Sequence, residues 1–327
     1  MLDRRTLVAA ALGAALVASA AGHAAAQTKW DMPTPYADGN FHTQNVRAFA
    51  AEVEKATGGK LAITVHSNAS LLKLPEIKRG VQTGQVQMGE TLISTLGNED
   101  AMFAFDSVPG LATGYDAARK LYTAARPQLE ARFAKQGLMM LYSVPWPPQG
   151  IYAKKELNAL ADLKGAKFRA YNPATARFAE LLGASPITVQ AAEIAQAFRT
   201  GVAESMISSG ATGVDTQAWD YLTHYYDLSA FLPHNVVMVN KAAFDAMPAD
   251  VRAALTAAAK AAEDRGWAQS AALNEGYKKT MAEKGMKVLA PTVAMLAEVK
   301  KIGDTMAAEW ATKAGADGAA VLAAYAR

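Results

Sequence analysis

The sequence predicts an α/β protein built from two similar lobes. Between Gly165 and Gly210, three short apolar runs alternate with two helical segments, which is the pattern of parallel strands joined by crossover helices. The spacing Glu-Ile-x5-Thr-Gly in this stretch, at 193–201, also occurs at 76–84, and both copies lead into a strand with a polar end. A long helical tract after Pro248 would span about 50 Å, enough to reach across two lobes. These features together predict two α/β halves with a ligand cleft between them.

Apolar periodicity and chain-breaking residues place the individual elements. Gly58-Gly59 ends the first helix, and Pro248 starts the longest one, because proline suits the first turn of a helix. The prolines within 145–148 end a strand, so we expect the chain to cross between lobes there. The predicted helices are 42–57, 76–83, 115–136, 175–182, 191–201, 242–247, 248–284, 292–312 and 316–326, and the predicted strands are 30–33, 61–65, 86–90, 138–144, one within 165–173, 186–189, 202–207 and 235–239.

Residues 1–26 have the features of a secretory signal peptide. Arg4-Arg5 precedes an apolar run over 7–21, and Ala24-Ala25-Ala26 offers a small-residue cleavage site. The run is too short for a membrane span, and no later segment approaches about 18 consecutive apolar residues. We therefore expect a soluble, secreted protein.

Composition excludes several classes of site. The chain has no cysteine, so disulfides, zinc–thiolate sites and thiol catalysis are excluded. Hydrophobic residues make up 51%, which is enough for a sizeable core. The formal net charge is +3 and the charges are well mixed along the chain, so no nucleic-acid-binding patch is predicted.

The common enzyme motifs are absent from the sequence. It contains no G-x-S-x-G elbow, no phosphate-binding P-loop, no H-E-x-x-H and no G-x-G-x-x-G. The acidic pair Glu263-Asp264 lies on the long helix and is predicted to face solvent. The histidines after residue 26 are not spaced as a helical metal pair, so neither a metal nor a cofactor is predicted: His42, His66, His224 and His234.

Arg169 is the strongest candidate for a ligand-binding residue. It falls near the end of the first strand of the 165–210 stretch, and ligands of parallel sheets bind beyond the carboxyl ends of the strands. The planar guanidinium suits a carboxylate, whereas the alternative is a structural or surface ion pair. Ser208 and Ser209 follow the third apolar run and are expected at the same edge of the sheet.

The remaining candidates each have a structural alternative. Glu90 and Thr91 end a strand, where the acid would accept a hydrogen bond from a ligand or form an ion pair between lobes. Trp146 would stack on a ligand or simply pack, and Asn172 is expected rather to cap the helix after it. Three residues at the first loop-to-helix junction would contact the ligand or form a capping and packing cluster: Tyr36, Phe41 and His42.

The combination of motifs resembles the solute-binding proteins of TRAP (tripartite ATP-independent periplasmic) transporters. Their pattern reads D-L-K-G-x-K-x-R, then L-G-A-x-P, then E-x-x-x-A-L-x-x-G-x-V-D-G. The likeness extends from the Gly58-Gly59 turn to the long late helix. The matching segments, in the same order and spacing, are Leu163-Lys164-Gly165-Ala166-Lys167-Phe168-Arg169, Leu182-Gly183-Ala184-Ser185-Pro186, and Glu193-Ile194 with Thr200-Gly201-Val202.

The resemblance implies a two-lobed periplasmic binding protein fold, with mixed sheets flanked by helices. In this family the arginine at the position of Arg169 holds the carboxylate of a small organic anion. The receptor then delivers its ligand to the small and large membrane subunits of the permease. The implied domains are lobe I at 27–146 plus about 235–265, lobe II at 147–234 plus about 280–327, and a long helix at 248–284 that bridges both lobes.

Departures from the family pattern narrow the expected ligand. The second arginine of the sialic-acid binders is missing, because Gln149 to Tyr152 occupy that place. The tryptophan–acid pair of the calcium-bridged keto-acid binders is also missing, and Ser208 replaces a frequent ligand-binding asparagine. Since Trp146, Tyr36 and Phe41 would line an apolar pocket, an aromatic or branched monocarboxylate is favoured.

Two other functions remain as alternatives on the sequence alone. One is a secreted α/β hydrolase or lyase that uses Glu90 and Arg169 on a small carboxylate. The other is a structural or adhesive secreted protein. Turnover of the bound ligand would distinguish the enzyme from a receptor, and a ligand-dependent melting shift would distinguish a receptor from the structural protein.

Overall fold

The computed structural model describes residues 27–327, and the predicted signal peptide at 1–26 lies outside the described residues. Within this range the chain alternates strands and helices, as the α/β prediction requires. The strands are β1 Thr28–Pro33, β2 Leu61–His66, β3 Met88–Leu92, β4 Leu138–Pro145, β5 Gln149–Ala153, β6 Lys167–Ala170, β7 Ser185–Thr188, β8 Ser205–Ser209, β9 His224–Tyr226, β10 His234–Asn240 and β11 Lys287–Leu289. The helices are α1 Phe41–Ala56, α2 Leu74–Gln82, α3 Tyr115–Lys135, α4 Pro173–Leu181, α5 Ile194–Arg199, α6 Gly210–Asp215, α7 Lys241–Asp245, α8 Ala249–Glu283 and α9 Val293–Ala326.

The first lobe is built on β1 to β4 and β10. Strand β10 lies between β3 and β4 and is antiparallel to both, while β1 pairs in parallel with β2. Strand β1 also lies beside β3. Helices α1, α2 and α3 pack against β2, β3 and β4 respectively. The chain therefore leaves this lobe after β4 and returns to it with β10.

The second lobe is built on a six-stranded mixed sheet in the order β11-β9-β5-β8-β6-β7. Strand β6 runs parallel to β7 and β8, as the alternation within 165–210 predicts. Strand β5 is antiparallel to β8 and β9. The two lobes share a chain path, because β1-α1-β2-α2-β3 follows the same alternation as β6-α4-β7-α5-β8.

Two crossing segments join the lobes side by side. One connects β4 to β5, and the other connects β9 to β10. The amide of Trp146 donates to the carbonyl of Pro233 at 2.7 Å, and the amide of Gln149 donates to Phe231 at 3.0 Å. The amide of Ala230 donates in turn to the carbonyl of Gln149 at 2.9 Å. The crossing predicted from the prolines at 145–148 is therefore one of the two segments that connect the lobes.

Helix α8 lies against both lobes. It packs on α1 and β4 of the first lobe and on α6 of the second. Gly266 and Gly276 lie within one continuous helix. A Cβ atom on Gly266 would stand 2.4 Å from a methyl carbon of Val144, so this glycine permits the close approach of α8 to β4.

The prediction that Glu263 faces solvent is wrong. Its carboxylate is buried, and it accepts hydrogen bonds from Arg126 Nη1 and Tyr122 Oη at 3.0 Å each and from the amide of Ser143 at 3.1 Å. These partners come from α3 and β4, which cover that side of α8. The neighbouring Asp264 is exposed and pairs with Lys260 one turn earlier at 2.6 Å. The carboxylate of Glu263 thus connects the long helix to the first lobe.

Helix α9 also contacts both lobes. Glu298 near its start accepts from the amide of Leu160 at 2.6 Å, and Trp310 donates to the carbonyl of Ala101 at 2.8 Å. Gly315 has a φ of 58°, a conformation that glycine adopts without steric cost, and it divides α9 where the sequence predicts two helices. None of the helices in the described range is both long and apolar enough to cross a membrane.

Three strands are missing from the sequence prediction, and one begins late. Strands β9 and β11 have only three residues each, which is too few for alternation to be recognised, and β5 directly follows the proline-rich crossing. The strand predicted at 202–207 begins at Ser205 because Val202 belongs to the turn after α5, where its amide donates to Ala197 at 2.8 Å.

Candidate functional site

A cavity lies where the two lobes and the crossing segments meet. It encloses about 410 Å³, counting its opening to solvent. A larger space of about 850 Å³, counting open solvent, adjoins it and shares Tyr36, Trp146, Ala191 and Thr212 with it. The residues that line the inner cavity are Tyr36, Leu74, Leu92, Trp146, Gln149, Arg169, Tyr171, Gln190, Ala191, Ser208, Ser209, Thr212 and Pro233.

Three adjacent parallel strands end at this cavity. Arg169 lies on β6 opposite Ile187 of β7 and Met206 of β8. Gln190 follows the end of β7, and Ser208 and Ser209 are the last residues of β8. The carboxyl edge of the second-lobe sheet therefore presents a guanidinium, a carboxamide and two hydroxyls to one space, as the rule for parallel sheets predicts.

Arg169 is a buried cation that has no neighbouring anion in the part of the chain that the structure describes. Its residue is 3% exposed, and its Nε donates to the carbonyl of Val189 at 2.9 Å. No carboxylate within residues 27–327 forms an ion pair with it. The guanidinium carbon lies 5.0 Å from the centre of the Tyr171 ring. Burial lowers the pKa of Arg169 from 12.5 to about 10.

This environment favours binding of an anion. A buried charge is costly unless it is paired and hydrogen-bonded. The terminal nitrogens of Arg169 take part in none of the hydrogen bonds among the described residues, so their four N–H groups are available. A carboxylate can accept two parallel hydrogen bonds from such a fork.

The two carboxamides of the cavity differ in their hydrogen bonding. Gln149 donates from Nε2 to the carbonyl of Pro147 at 2.9 Å and accepts from the hydroxyl of Tyr171 at 3.0 Å, so both ends of its amide are engaged. Gln190 Oε1 is buried and accepts no hydrogen bond from any residue in the described part of the chain. The fixed amide of Gln149 orients Tyr171, whereas the amide of Gln190 remains free.

The first-lobe wall of the cavity is aromatic and held by one asparagine. The hydroxyl of Tyr36 and the indole N–H of Trp146 both donate to Asn235 Oδ1, at 3.0 Å and 2.9 Å. The two rings meet edge to face with centroids 4.9 Å apart. Asn235 lies on β10, so the sheet of the first lobe fixes the position of both rings.

Five predicted site residues do not line the cavity: Asn172 is one, and the other four form a cluster of their own. Phe41 and His42 pack behind Trp146, with ring centroids 5.7 and 4.5 Å from that of Trp146. Glu90 accepts from Thr34 Oγ1 at 2.5 Å and lies 3.5 Å from His42 Nδ1. Thr91 is buried beside Glu90 on β3. This cluster forms a layer beneath the aromatic wall.

Burial sets the protonation of that layer. It raises the pKa of Glu90 from 4.5 to about 7, and the hydrogen bond from Thr34 opposes part of this shift. It lowers the pKa of His42 well below its usual value, and the nearby His234 adds to the effect. His42 is therefore neutral at pH 7, and Glu90 is poised between its two protonation states.

Asn172 caps a helix and joins the lobes. Its Oδ1 accepts from the amide of Thr175 at 2.7 Å at the start of α4, as expected for a capping residue. Its Nδ2 donates to Ser94 Oγ of the first lobe, also at 2.7 Å. A second bond between lobes runs from Asn40 Nδ2 to Asp215 Oδ2 at 2.6 Å.

No cluster of three or more metal-ligating side chains occurs in the described residues.

Sequence reasoning misses several residues that line the cavity. Gln190 follows the end of β7 and could be found by the same strand-end rule that selects Arg169. Tyr171 and Gln149 lie next to predicted features but carry no distinguishing pattern of their own. The other missed lining residues are Leu74, Leu92, Ala191, Thr212 and Pro233.

The family model for the bacterial extracellular solute-binding protein, family 7 (DctP), matches residues 34–313. The chain belongs to this family. The resemblance to the TRAP solute-binding proteins and the two-lobed α/β fold are thereby confirmed. Family 7 proteins are extracytoplasmic binding proteins of transport systems, and the hydrolase or lyase alternative receives no support.

Solved structures of solute receptors are similar to this chain over most of its length. DctP7 of Bordetella pertussis, an extracytoplasmic solute receptor binding pyroglutamic acid, is 51% identical, with a TM-score of 0.91 over 92% of this chain and 100% of the receptor. A TRAP solute-binding protein of an unidentified marine microbe, specific for pyroglutamate, is 46% identical, with a TM-score of 0.90 over 92% of this chain and 99% of that protein. A solute-binding protein of Albidiferax ferrireducens is 25% identical over 219 residues, 66% of this chain and 65% of that relative. The chain thus spans slightly less than two thirds of this last relative.

Proposed function

We propose that this protein is the periplasmic receptor of a TRAP transporter and binds a small monocarboxylate between its lobes. The observation that carries the proposal is the buried, unpaired guanidinium of Arg169 at the cavity. A ligand carboxylate supplies the missing anion through two hydrogen bonds. The hydroxyl of Ser208, at the end of the neighbouring strand, is placed to donate a further one.

The charges of the cavity favour one carboxylate over two. Arg169 is the sole charged side chain among the described residues that line it. A second carboxylate or an ammonium group on the ligand would be buried without a counter-charge, which is strongly unfavourable. The site therefore suits an acid that is otherwise uncharged, and it disfavours dicarboxylates and amino acids.

The walls of the cavity favour a flat ring. Tyr36, Trp146 and Tyr171 provide flat aromatic surfaces around it. Two relatives at 51% and 46% identity bind pyroglutamate, a five-membered lactam with one carboxylate. We infer a ligand of this class, a cyclic monocarboxylate, and it refines the aromatic or branched monocarboxylate that the sequence suggests.

The binding step in this proposal is closure of two lobes on the ligand. Arg169 comes from the second lobe, Tyr36 from the first, and Trp146 from a crossing segment, so the ligand bridges parts that move apart on opening. A ligand that contacts both lobes binds the closed state more tightly and shifts the population toward it. The lobes in this proposal keep the predicted bounds, with 27–146 plus about 235–265 against 147–234 plus about 280–327, bridged by 248–284.

Export and delivery complete the proposed role. The segment at 1–26 directs the chain to the periplasm and is removed. The closed, loaded receptor then docks on the small and large membrane subunits, which receive the ligand unchanged. No step of this cycle makes or breaks a covalent bond in the ligand.

Calorimetric titration of ligand-depleted protein tests the proposal. We expect L-pyroglutamate to bind at least about 100-fold more tightly than L-glutamate or succinate, because succinate adds a carboxylate, and L-glutamate a carboxylate and an ammonium group, that the cavity leaves unpaired. Succinate binding as tight as pyroglutamate would contradict the single-carboxylate assignment. Proton NMR of the mixture after prolonged incubation separates receptor from enzyme, since a receptor returns the ligand unaltered.

A further inference from the structure

The free carboxamide of Gln190 stands beside the residue that holds Arg169. Val189 accepts the hydrogen bond from Arg169 Nε at 2.9 Å, and Gln190 follows directly in the chain. Gln190 lines the cavity, and its Oε1 is buried without a hydrogen-bond donor among residues 27–327. A buried acceptor of this kind costs free energy unless a ligand supplies the donor.

The other carboxamide of the cavity cannot serve in the same way. Gln149 is held at both ends, by the carbonyl of Pro147 and by the hydroxyl of Tyr171. The hydroxyl of Ser209 is also engaged, because it accepts from the amide of Thr212 at 3.2 Å at the start of α6. Gln190 is therefore the cavity amide with its hydrogen-bonding edge available to a ligand.

A primary carboxamide has a donor and an acceptor along one edge, since its C=O and one N–H point the same way. A small-ring lactam also has its N–H and C=O on one edge, because the ring forces the amide into the cis form. The two edges are complementary and form a closed pair of hydrogen bonds. Rotation of the Gln190 amide by 180° exchanges the positions of its donor and its acceptor, so the side chain can present the order that the bound lactam requires.

We propose that Gln190 pairs edge to edge with the lactam amide of the ligand and is the residue that selects lactam acids. This inference rests on the proposed function, in which Arg169 holds the carboxylate of the same molecule. In a lactam such as pyroglutamate the amide nitrogen is bonded to the carbon that bears the carboxylate. The two recognition groups of the ligand are therefore neighbours, as Arg169 and Gln190 are in the site.

The pairing predicts discrimination between molecules of nearly equal shape. The lactone 5-oxotetrahydrofuran-2-carboxylate replaces the lactam N–H with an oxygen atom, which would face an acceptor of Gln190. Cyclopentanecarboxylate lacks both polar groups. A site built to hydrogen-bond a polar group rejects analogues that lack it, because its own buried groups are then left unpaired. We expect the wild-type protein to prefer pyroglutamate over the lactone by about 10- to 100-fold.

The test compares lactam and lactone binding to wild-type protein and to Gln190→Met by calorimetry. Methionine has a similar length and no hydrogen-bonding edge, so we expect it to weaken pyroglutamate binding and to bring the lactam-to-lactone ratio close to one. Gln196→Met is the matched control, because it places the same change at an exposed position of α5, outside the cavity. A lactam-to-lactone ratio in Gln190→Met equal to that of wild-type protein would overturn the pairing.

The comparison of ligand analogues in the wild-type protein does not depend on the Gln190→Met variant or on whether that variant folds. If the lactone binds as tightly as pyroglutamate to the wild-type protein, no residue reads the lactam N–H, and the pairing is overturned while the monocarboxylate receptor remains. If neither ring binds, the cyclic ligand class itself fails, and the pairing fails with it. Selective binding of the lactam that Gln190→Met abolishes and Gln196→Met retains supports the inference.

Discussion

Arg169 donates a hydrogen bond from Nε to the carbonyl oxygen of Val189, 2.9 Å away. This bond ties a side chain of β6 to the backbone just beyond β7, so the plane of the guanidinium is fixed before a ligand arrives. The four N–H groups on the terminal nitrogens remain for a carboxylate. The site is therefore preorganised for an anion, although a buried cation without a counter-charge opposes folding of the empty protein.

Replacing Asn235 by leucine tests the support of the aromatic wall. Tyr36 and Trp146 both donate to Asn235 Oδ1, so the variant frees two rings that face the ligand. We expect ligand affinity to fall by about 10-fold and the tryptophan emission to shift, because the indole N–H loses its partner. The same change at Asn240, which caps α7 on the same strand, is the control and leaves affinity unchanged. An unaltered ligand affinity in Asn235→Leu would show that packing alone positions the rings of Tyr36 and Trp146.

Ser94→Ala tests whether contacts between lobes stabilise the closed state. It removes the hydrogen bond from Asn172 Nδ2 to Ser94 Oγ but keeps the cap that Asn172 forms on α4. We expect the ligand to dissociate about 10-fold faster with a nearly unchanged association rate, as measured by stopped-flow fluorescence. Thr95→Ala is the control, because Thr95 Oγ1 bonds to Leu92 within the first lobe at 2.6 Å. Equal dissociation rates in the two variants would contradict a role for the Ser94 bond in closure.

The buried carboxyl of Glu90 predicts a pH dependence of stability. Its pKa is raised to about 7, so between pH 4.5 and 7 the folded protein keeps a proton that the unfolded chain releases. The free energy of unfolding therefore falls as pH rises through this window, by up to about 3 kcal/mol at about 1.4 kcal/mol per pKa unit. Glu90→Gln removes this contribution. In urea unfolding, the free energy of unfolding of the variant should therefore increase relative to that of the wild-type protein from pH 5 to pH 8. A constant difference over that range would contradict the raised pKa.

Two glycines of α8 give opposite predictions for the same substitution. Gly266→Ala would place a methyl group 2.4 Å from Val144 Cγ2, so we expect the free energy of unfolding to fall by about 1–3 kcal/mol. Gly276→Ala meets no atom within 4 Å and should raise it by about 0.5–1 kcal/mol, because alanine favours a helix. Urea unfolding of the two variants measures both effects. Similar changes in the two would show that α8 does not pack closely on β4 at Gly266.

Much of the fold follows from local sequence signals. The strands and helices of 165–210 are short, but glycine and proline punctuate them closely, so their order and parallel pairing follow from sequence. Strands β9 and β11 are not predicted, because three residues are too few to show an alternating pattern of apolar and polar side chains. The burial of Glu263 also escapes it, because it depends on α3 and β4 covering a helix face, and these elements are more than 100 residues away in the chain.

The candidate site is predictable where a general rule of sheets applies. The rule that ligands bind beyond strand ends selects Arg169 and Ser208, and it applies equally to Gln190, which the sequence analysis overlooks. It does not apply to the first lobe, where Tyr36 and Trp146 reach the cavity from a loop and a crossing segment. Their orientation depends on Asn235, a contact between residues 89 or more positions apart.

The unpaired state of Arg169 has a consequence for the ligand-free protein. Arg169→Met replaces a buried, uncompensated cation with an apolar side chain of similar length, so we expect the free energy of unfolding without ligand to rise by about 1–4 kcal/mol. Arg177→Met is the control, because Arg177 is only partly buried, lies outside the cavity and pairs with Glu309 at 2.7 Å. It should change stability by no more than about 1 kcal/mol. Urea unfolding of dialysed proteins measures both values.

Calorimetric titration of Arg169→Met with L-pyroglutamate tests the central claim most directly. The variant lacks the fork that holds the ligand carboxylate, so we expect no measurable heat of binding from a protein that is folded and more stable than wild type, while Arg177→Met binds normally. Affinity in Arg169→Met within a few-fold of the wild-type value would contradict the account, since the carboxylate would then be held by other groups.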